Sequence, residues 1–324
     1  MIEYVKNYET KSSAFAQPRI KVLGIGGGGN NAVKQMVEDK IRNVEFYYLN
    51  TELSNLKNIY TNNVLQIGKQ TTKGLGAGAN PEIGERAALE SKEEIKNILQ
   101  GTDLLFLTAG MGGGTGTGAI SIVAEMAKEM KITTIGIVTS PFLFEGKQRA
   151  IRAEAGIRKL KENVNSLIII SNDNLLKFAQ KGISIKNAFQ IADNVIEQGI
   201  ESITDIITTI GEVNVDFADI ITILQYKGMA YMAIGRAQGE HRMEDAVNQA
   251  INNPLTTNTI KEAKGVIFNV RGNSALELSE LNDGISIVNE LISDEANVIF
   301  GTTIDETLGD EIIVTVIATG VSEK

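Results

Sequence analysis

Six glycines crowd the ten residues Ala109-Gly110-Met111-Gly112-Gly113-Gly114-Thr115-Gly116-Thr117-Gly118. Glycine lets backbone take positive φ or approach a ligand closely. A glycine turn that opens a helix points N–H groups inward, and the helix dipole adds positive charge there. The chemistry on offer is therefore anion binding, with phosphate the natural guest and the Thr115 and Thr117 hydroxyls as added donors. The plainer alternative is a tight strand-to-helix turn that binds nothing. A second cluster, Gly24-Ile25-Gly26-Gly27-Gly28-Gly29-Asn30-Asn31, has the Gly24, Gly26, Gly29 spacing of a dinucleotide fingerprint, with Glu45 about twenty residues on. A third loop, Lys73-Gly74-Leu75-Gly76-Ala77-Gly78-Ala79-Asn80-Pro81-Glu82, is again built of small residues. No Lys-Ser or Lys-Thr follows any of these loops, which excludes a P-loop.

Three further pairs could do chemistry, and each has a bland reading. Glu145 and Arg149 would share a face if a helix began near Glu145, as a surface ion pair or as contacts to ribose and phosphate. Phe189 and Asp193, at i and i+4, suit a stacked guanine whose N–H groups donate to the carboxylate, but spacing alone favours a core Phe beside a surface Asp. Asp216 and Asp219 precede the apolar run Ile220 to Leu224, where acids cap a helix or polarise a water molecule.

The elements that must position these residues follow from periodicity. Short β-prone runs at Ile20 to Ile25, Val44 to Leu49, Val64 to Ile67, Ile132 to Val138 and Leu167 to Ile170 alternate with helical patterns, one of them running from Pro81 to Leu99. That order predicts a Rossmann-like, mostly parallel α/β sheet covered on both faces, with ligands at the carboxyl ends of the strands, where Asn172 and Asp173 stand. A long helix from Ile185 to about Ile207 spans roughly 33 Å at 1.5 Å per residue and joins this sheet to a smaller α+β part. In that part Gly228 to Arg236, Gly265 to Val270, Asn297 to Thr302 and Glu311 to Thr319 read as strands, and His241 to Ile251 and Leu276 to Ile292 as helices. The expected divisions are a mobile tail at 1–18, a nucleotide domain at 19–184, the central helix at 185–208 and the α+β domain at 209–324.

Composition narrows the function. With no cysteine and one histidine, His241, the sequence offers no thiolate zinc site, histidine metal cluster or Cys/His triad. A net charge of −9 argues against nucleic acid as partner, so any phosphate must be held locally by backbone. No apolar run approaches the length of a membrane span, which predicts a cytoplasmic protein without membrane insertion.

In order from about Arg19 to Val321, these stretches resemble the FtsZ family of the tubulin superfamily, bacterial GTPases that polymerise at the division site. The resemblance rests on Gly112 to Gly118, on Thr72 to Pro81, on Phe144-Glu145-Gly146 and on Asn214-Val215-Asp216-Phe217-Ala218-Asp219. It implies GTP and GDP as ligands. Gly27, Gly28, Gly29, Asn30 and Asn31, with Gly110, Gly113, Gly114, Thr115 and Gly116, would then hold phosphates and sugar, and Ala77, Gly78 and Ala79 would sense the γ-phosphate. Glu145, Arg149 and Asn172 would reach ribose or phosphate, and Phe189 and Asp193 would hold guanine. Asn214, Asp216 and Asp219 would act on the nucleotide of the next subunit, with Mg²⁺ carried mainly by phosphate and water oxygens rather than by side chains.

A head-to-tail contact that does not close grows into a filament, so the implied partner is a second copy of the chain. The resemblance also implies division adaptors, although the family's usual linker and docking peptide do not follow Lys324 in this sequence. Glu52 stands where the family usually has Asp, Thr209 to Glu212 replace a Pro-Gly-Leu stretch, and Ser121 and Ser171 replace prolines. The competing readings are a nicotinamide dehydrogenase, which accounts for the first glycine loop only, and a filament protein that binds nucleotide without turning it over.

Overall fold

Apolar residues alternate sides along the predicted strands, and the computed structural model shows why: Val22, Phe106, Ile135 and Ile168 face one layer of helices while Leu23, Leu105, Val138 and Leu167 face another. The structure describes residues 17–57, 59, 61–178, 183–208, 215–252 and 260–321. Nearly all of the expected tail, the segment Thr209 to Asn214 and the last residues Ser322 to Lys324 lie outside them.

The strands are β1 (Ile20–Ile25), β2 (Glu45–Asn50), β3 (Val64–Gln66), β4 (Leu104–Gly110), β5 (Thr133–Ser140), β6 (Ser166–Ser171), β7 (Gly228–Ala237), β8 (Gly265–Gly272), β9 (Asn297–Ile304) and β10 (Ile312–Val321). The helices are α1 (Gly26–Glu38), α2 (Leu53–Leu56), α3 (Lys69–Thr72), α4 (Pro81–Glu90), α5 (Lys92–Leu99), α6 (Thr115–Glu129), α7 (Lys147–Lys161), α8 (Asn172–Phe178), α9 (Ile185–Thr208), α10 (Phe217–Leu224), α11 (Arg242–Ile251) and α12 (Leu278–Asn289).

All ten strands form one sheet, in the order β3-β2-β1-β4-β5-β6-β7-β10-β8-β9. The first six are parallel, as the alternation of strand and helix requires. Only Ser166 to Ile168 pair with β7, so the sheet narrows there before β10 pairs antiparallel with both β7 and β8. The fold is thus a mostly parallel α/β sheet continued by an α+β part with its own core, in which Met243, Ala246 and Val247 of α11 and Leu281 and Val288 of α12 cover Phe268 and Val316.

Helix α9 serves both parts. Its Ala192, Ile196, Ile200 and Ile203 share a core with Ile137 and Ile170 on one side and with Met232, Ile267 and Ile317 on the other. Arg271 of β8 adds charged bonds to Glu201 (2.8 Å) and Asp205 (2.7 Å) of the same helix.

Three predicted helices differ in their bounds. The run from Pro81 to Leu99 breaks at Ser91 (φ −100°, ψ 25°), whose buried hydroxyl accepts from the Gly68 N–H at 3.1 Å. Helix α6 starts inside the glycine cluster at Thr115, four residues before the helix-like run that the sequence shows from Ala119 to Met130, because Gly118 lets it lie directly on α4. Helix α12 is shorter at both ends than the Leu276 to Ile292 pattern.

Candidate functional site

Because β1, β2, β4, β5 and β6 run parallel, the segments that follow them gather at one edge of the sheet. Those segments are Gly26 to Asn31, Thr51, Met111 to Thr115, Pro141 to Glu145 and Asn172. Helices α1 and α6 begin there with no side-chain cap and no acidic residue in the first turn, which leaves their N–H groups free for an anion.

The glycines in these loops fall into two kinds. Some are required by close packing of one loop on another: a Cβ on Gly26 would sit 2.8 Å from the Gly116 nitrogen, one on Gly28 3.1 Å from the Gly110 backbone, and one on Gly29 2.3 Å from the Thr108 carbonyl oxygen. A Cβ on Gly114 would meet Ala77 and the Asn80 nitrogen, which presses the third loop onto the second. Others face open space. A Cβ on Gly27, Gly78 or Gly113 would meet nothing within 4 Å, so packing does not explain these glycines; positive φ accounts for Gly78, and the backbone at Gly27 and Gly113 is left open to the approach of a ligand. Ala79 also holds positive φ (59°), next to Gly78 at 56°.

Around this cradle the polar side chains take different parts. Asn30 is buried and, with its amide oriented by its neighbours, donates to the Gly24 carbonyl (2.7 Å) and accepts from Asn50 (3.2 Å), tying β1 to β2. Asn31 next to it is exposed. Thr117, read from sequence as a hydroxyl donor to phosphate, instead turns inward and accepts from the Gly112 N–H at 2.8 Å. Asn172 is 3% exposed and, among the described residues, its Oδ1 has no hydrogen-bond partner. A buried carbonyl oxygen left unpaired is costly, and a hydroxyl-bearing or N–H-bearing ligand at this edge would satisfy it.

Glu145 does not start a helix. It closes a 3₁₀ turn, Leu143–Glu145, and Gly146 at φ 98° separates that turn from α7. The ion pair with Arg149 forms across this break (2.9 Å), while the other Glu145 oxygen accepts from the Phe142 N–H (2.9 Å). Arg152, which spacing did not single out, donates to the Gly112 carbonyl at 3.1 Å and fixes α7 to the glycine loop.

Phe189 joins the site through an aromatic contact, meeting the buried Phe142 edge-on with ring centroids 5.1 Å apart and an interplanar angle of 84°, and Asp193 stands one turn further along α9. Phe189 is 39% exposed, so it is not the core residue that spacing alone favoured. Asp193 is only half-exposed, and burial pushes its carboxyl up to about 7.

Asp216 and Asp219 are not part of this cradle. From Phe189 at the cradle, α9 runs on toward Thr208, and its 24 residues span about 36 Å. The α10 end is pinned at the opposite sheet edge, where Gln225 donates to Thr133 (3.1 Å) and the Ser166 hydroxyl to the Leu224 carbonyl (2.8 Å), at the first residues of β5 and β6. Asp216 caps α10 by accepting from the Ala218 N–H (3.5 Å), and both acids are exposed. Asn214 lies outside the described residues. Among the described residues, no group of three or more His, Cys, Asp or Glu could hold a metal ion, and no helix is long and apolar enough to cross a membrane.

Comparison with known proteins identifies the family and the fold. A family model described as "Tubulin/FtsZ family, GTPase domain" matches residues 19–180, and one described as "FtsZ family, C-terminal domain" matches residues 228–322. An empty FtsZ dimer from M. jannaschii superposes with a TM-score of 0.89 at 38% identity, covering 94% of this chain and 88% of that one. CetZ1 from Haloferax volcanii, a GDP-bound monomer, has a TM-score of 0.79 at 22% identity, covering 94% and 95%. CetZ2 from the same organism, a GTPγS-bound protofilament, has a TM-score of 0.78 at 18% identity, covering 94% of each chain, and like CetZ1 it bears on the fold alone.

Proposed function

The chain belongs to the Tubulin/FtsZ family, and from that premise we propose that it is a GTPase that polymerises head to tail and hydrolyses GTP between subunits. On this reading Gly27 to Asn31, Gly110 and Gly113 to Gly116 hold the phosphates and sugar, and Ala77, Gly78 and Ala79 respond to the γ-phosphate. Glu145, Arg149 and Asn172 contact ribose or phosphate, and Phe189 and Asp193 take guanine. Asp216 and Asp219, with Asn214, orient and polarise the attacking water on the neighbour's nucleotide. Mg²⁺, if held mainly by phosphate and water oxygens, would supply charge compensation for the phosphoryl transfer. The parts divide as 19–184 for nucleotide, 185–208 for the connecting helix and 209–324 for the catalytic loop and the rest.

One arrangement carries the proposal. The two exposed acids stand at the other end of α9 from the glycine cradle, so a lone subunit has a binding site without its acids. Stacking copies so that the α10 end of one meets the cradle of the next would complete it, and such a contact repeats without closing. Of the related structures, the M. jannaschii FtsZ is a dimer and CetZ2 a protofilament, so self-association is a property of those proteins. The proposed setting is the cytoplasmic division site, with division adaptors as further partners.

Phosphate release measured against protein concentration, beside sedimentation with GTP or GDP, tests this. Little release when dilute, a steep rise above a threshold and pelleting with GTP only are expected. Asp216→Ala should bind nucleotide as before and lose turnover. Full turnover by demonstrably unassembled protein would refute catalysis between subunits, and pelleting without turnover would identify a filament protein that only binds.

A further inference from the structure

Thr51 follows β2 and is completely buried, with its Oγ1 2.6 Å from the Oγ1 of Thr115, the first residue of α6. Either oxygen could donate, and burial decides which one does. Among the described residues the Thr51 hydroxyl has no other partner, so if Thr115 donated, the Thr51 proton would be buried without an acceptor. Thr115 is only partly buried, and its own proton can turn outward to the cradle. The favourable direction is therefore from Thr51 to Thr115.

The same residue also reaches the third loop. Its carbonyl accepts from the Thr72 hydroxyl (3.2 Å), and the Thr72 carbonyl accepts from Leu75 N–H (3.0 Å), two residues before Ala77. Beside it, Leu53 N–H donates to the Gly74 carbonyl (3.0 Å).

Resting on the reading of Thr115 as a phosphate contact, we infer that Thr51 is a positioning residue: its buried hydroxyl donates to Thr115 and so aims the Thr115 proton at the phosphate bound at the start of α6. Accepting one hydrogen bond also makes Thr115 a stronger donor in the next. Thr51 touches no ligand itself. Its effect passes through one oxygen, and that makes it separable from a packing role.

The test is a double-mutant cycle on the full chain, read as the dissociation constant of GDP carrying a fluorescent label. Thr51→Val keeps the branched shape and removes the hydroxyl, and it should weaken binding about five- to tenfold, the worth of one neutral hydrogen bond. Thr51→Ser should bind within twofold of the parent. In a Thr115→Val background, Thr51→Val should cost less than twofold more, because the oxygen it acts through has gone.

Melting curves without nucleotide report the fold separately, and Thr51→Ala provides a second route through the cycle if the valine variant does not fold. Undiminished binding by Thr51→Val, an equal loss in both backgrounds, or no recovery with serine would each overturn the inference while leaving the nucleotide site in place. If Thr115→Val alone bound as well as the parent, the phosphate role of Thr115 would fall, and this inference with it.

Discussion

If Asp193 receives the guanine base, nucleotide affinity must depend on pH in a direction the structure dictates. Burial alone raises this carboxyl to about 7, with no charged neighbour contributing. The base presents N–H donors, and only the ionised carboxylate can accept from both at once. The complex therefore has a depressed pKa and the free site a raised one, so binding strengthens as pH rises through about 7 and weakens below it.

For a free-site pKa of about 7 the weakening factor is 1 + 10^(7 − pH), roughly 1.1 at pH 8 and roughly 11 at pH 6. That tenfold difference is about 1.4 kcal/mol. Nucleotide phosphates titrate in the same range, so the quantity to measure is the difference in pH slope between the parent and Asp193→Asn, in which the phosphate term is shared. The variant should bind more weakly at pH 8 and lack the extra slope. Calorimetry in two buffers of different ionisation enthalpy should find about half a proton released at pH 7 in the parent beyond that in the variant. Parallel curves for the two proteins, or equal proton release, would refute the assignment of Asp193 to the base.

Two further perturbations probe the scaffold. Burial first, and then Asp39, raise Glu197 on α9 to about 7, and in the unfolded chain this carboxyl returns to its ordinary range. Its contribution to stability is thus fullest below about pH 4.5 and is lost as pH rises through about 7, so Glu197→Gln should stabilise the protein by ~1–2 kcal/mol at pH 8 and hardly at pH 5, read from urea unfolding. The two kinds of glycine should separate cleanly: a Cβ at Gly118 would lie 2.0 Å from the Pro81 carbonyl oxygen, so Gly118→Ala should cost about 1–3 kcal/mol by forcing α4 off α6. Gly27→Ala, with open space around the new methyl, should keep the melting temperature and weaken nucleotide binding tenfold or more.

The parts of the fold that were legible in the sequence are those fixed by local pattern. Strand β1 runs over the predicted residues and α9 within a residue of its predicted end, because an apolar period over six or twenty-four residues records which face is buried. The break at Ser91 and the early start of α6 were not legible, since each depends on a partner far along the chain: Gly68 for the first and Pro81 for the second. Antiparallel β10 between β7 and β8 was hidden for the same reason, since strand pairing is a long-range fact.

At the site, the glycine loops announced themselves, but the sequence did not tell cradle glycines from packing glycines. Phe142, Arg152 and Thr51 gave only weak signals. For Thr51 the available signal was its place at the carboxyl end of a parallel strand, where ligands gather.

On the proposed reading, helix α9 accounts for the separation between base recognition and the acids. Its first turns carry Phe189 against Phe142 at the cradle, and its middle is packed against Ile137 and Met232 on the two sides. A Cβ on Gly199 would lie 2.2 Å from the Met232 sulfur, so the helix is seated closely enough that sliding it is expensive. Nearer its end, Arg271 grips Glu201 and Asp205. A rod held at its start, middle and end resists displacement and keeps its two ends at a fixed spacing. On the proposed reading, the distance from the cradle to the end that meets the next subunit is therefore set by the length of α9, which at 24 residues is about 36 Å.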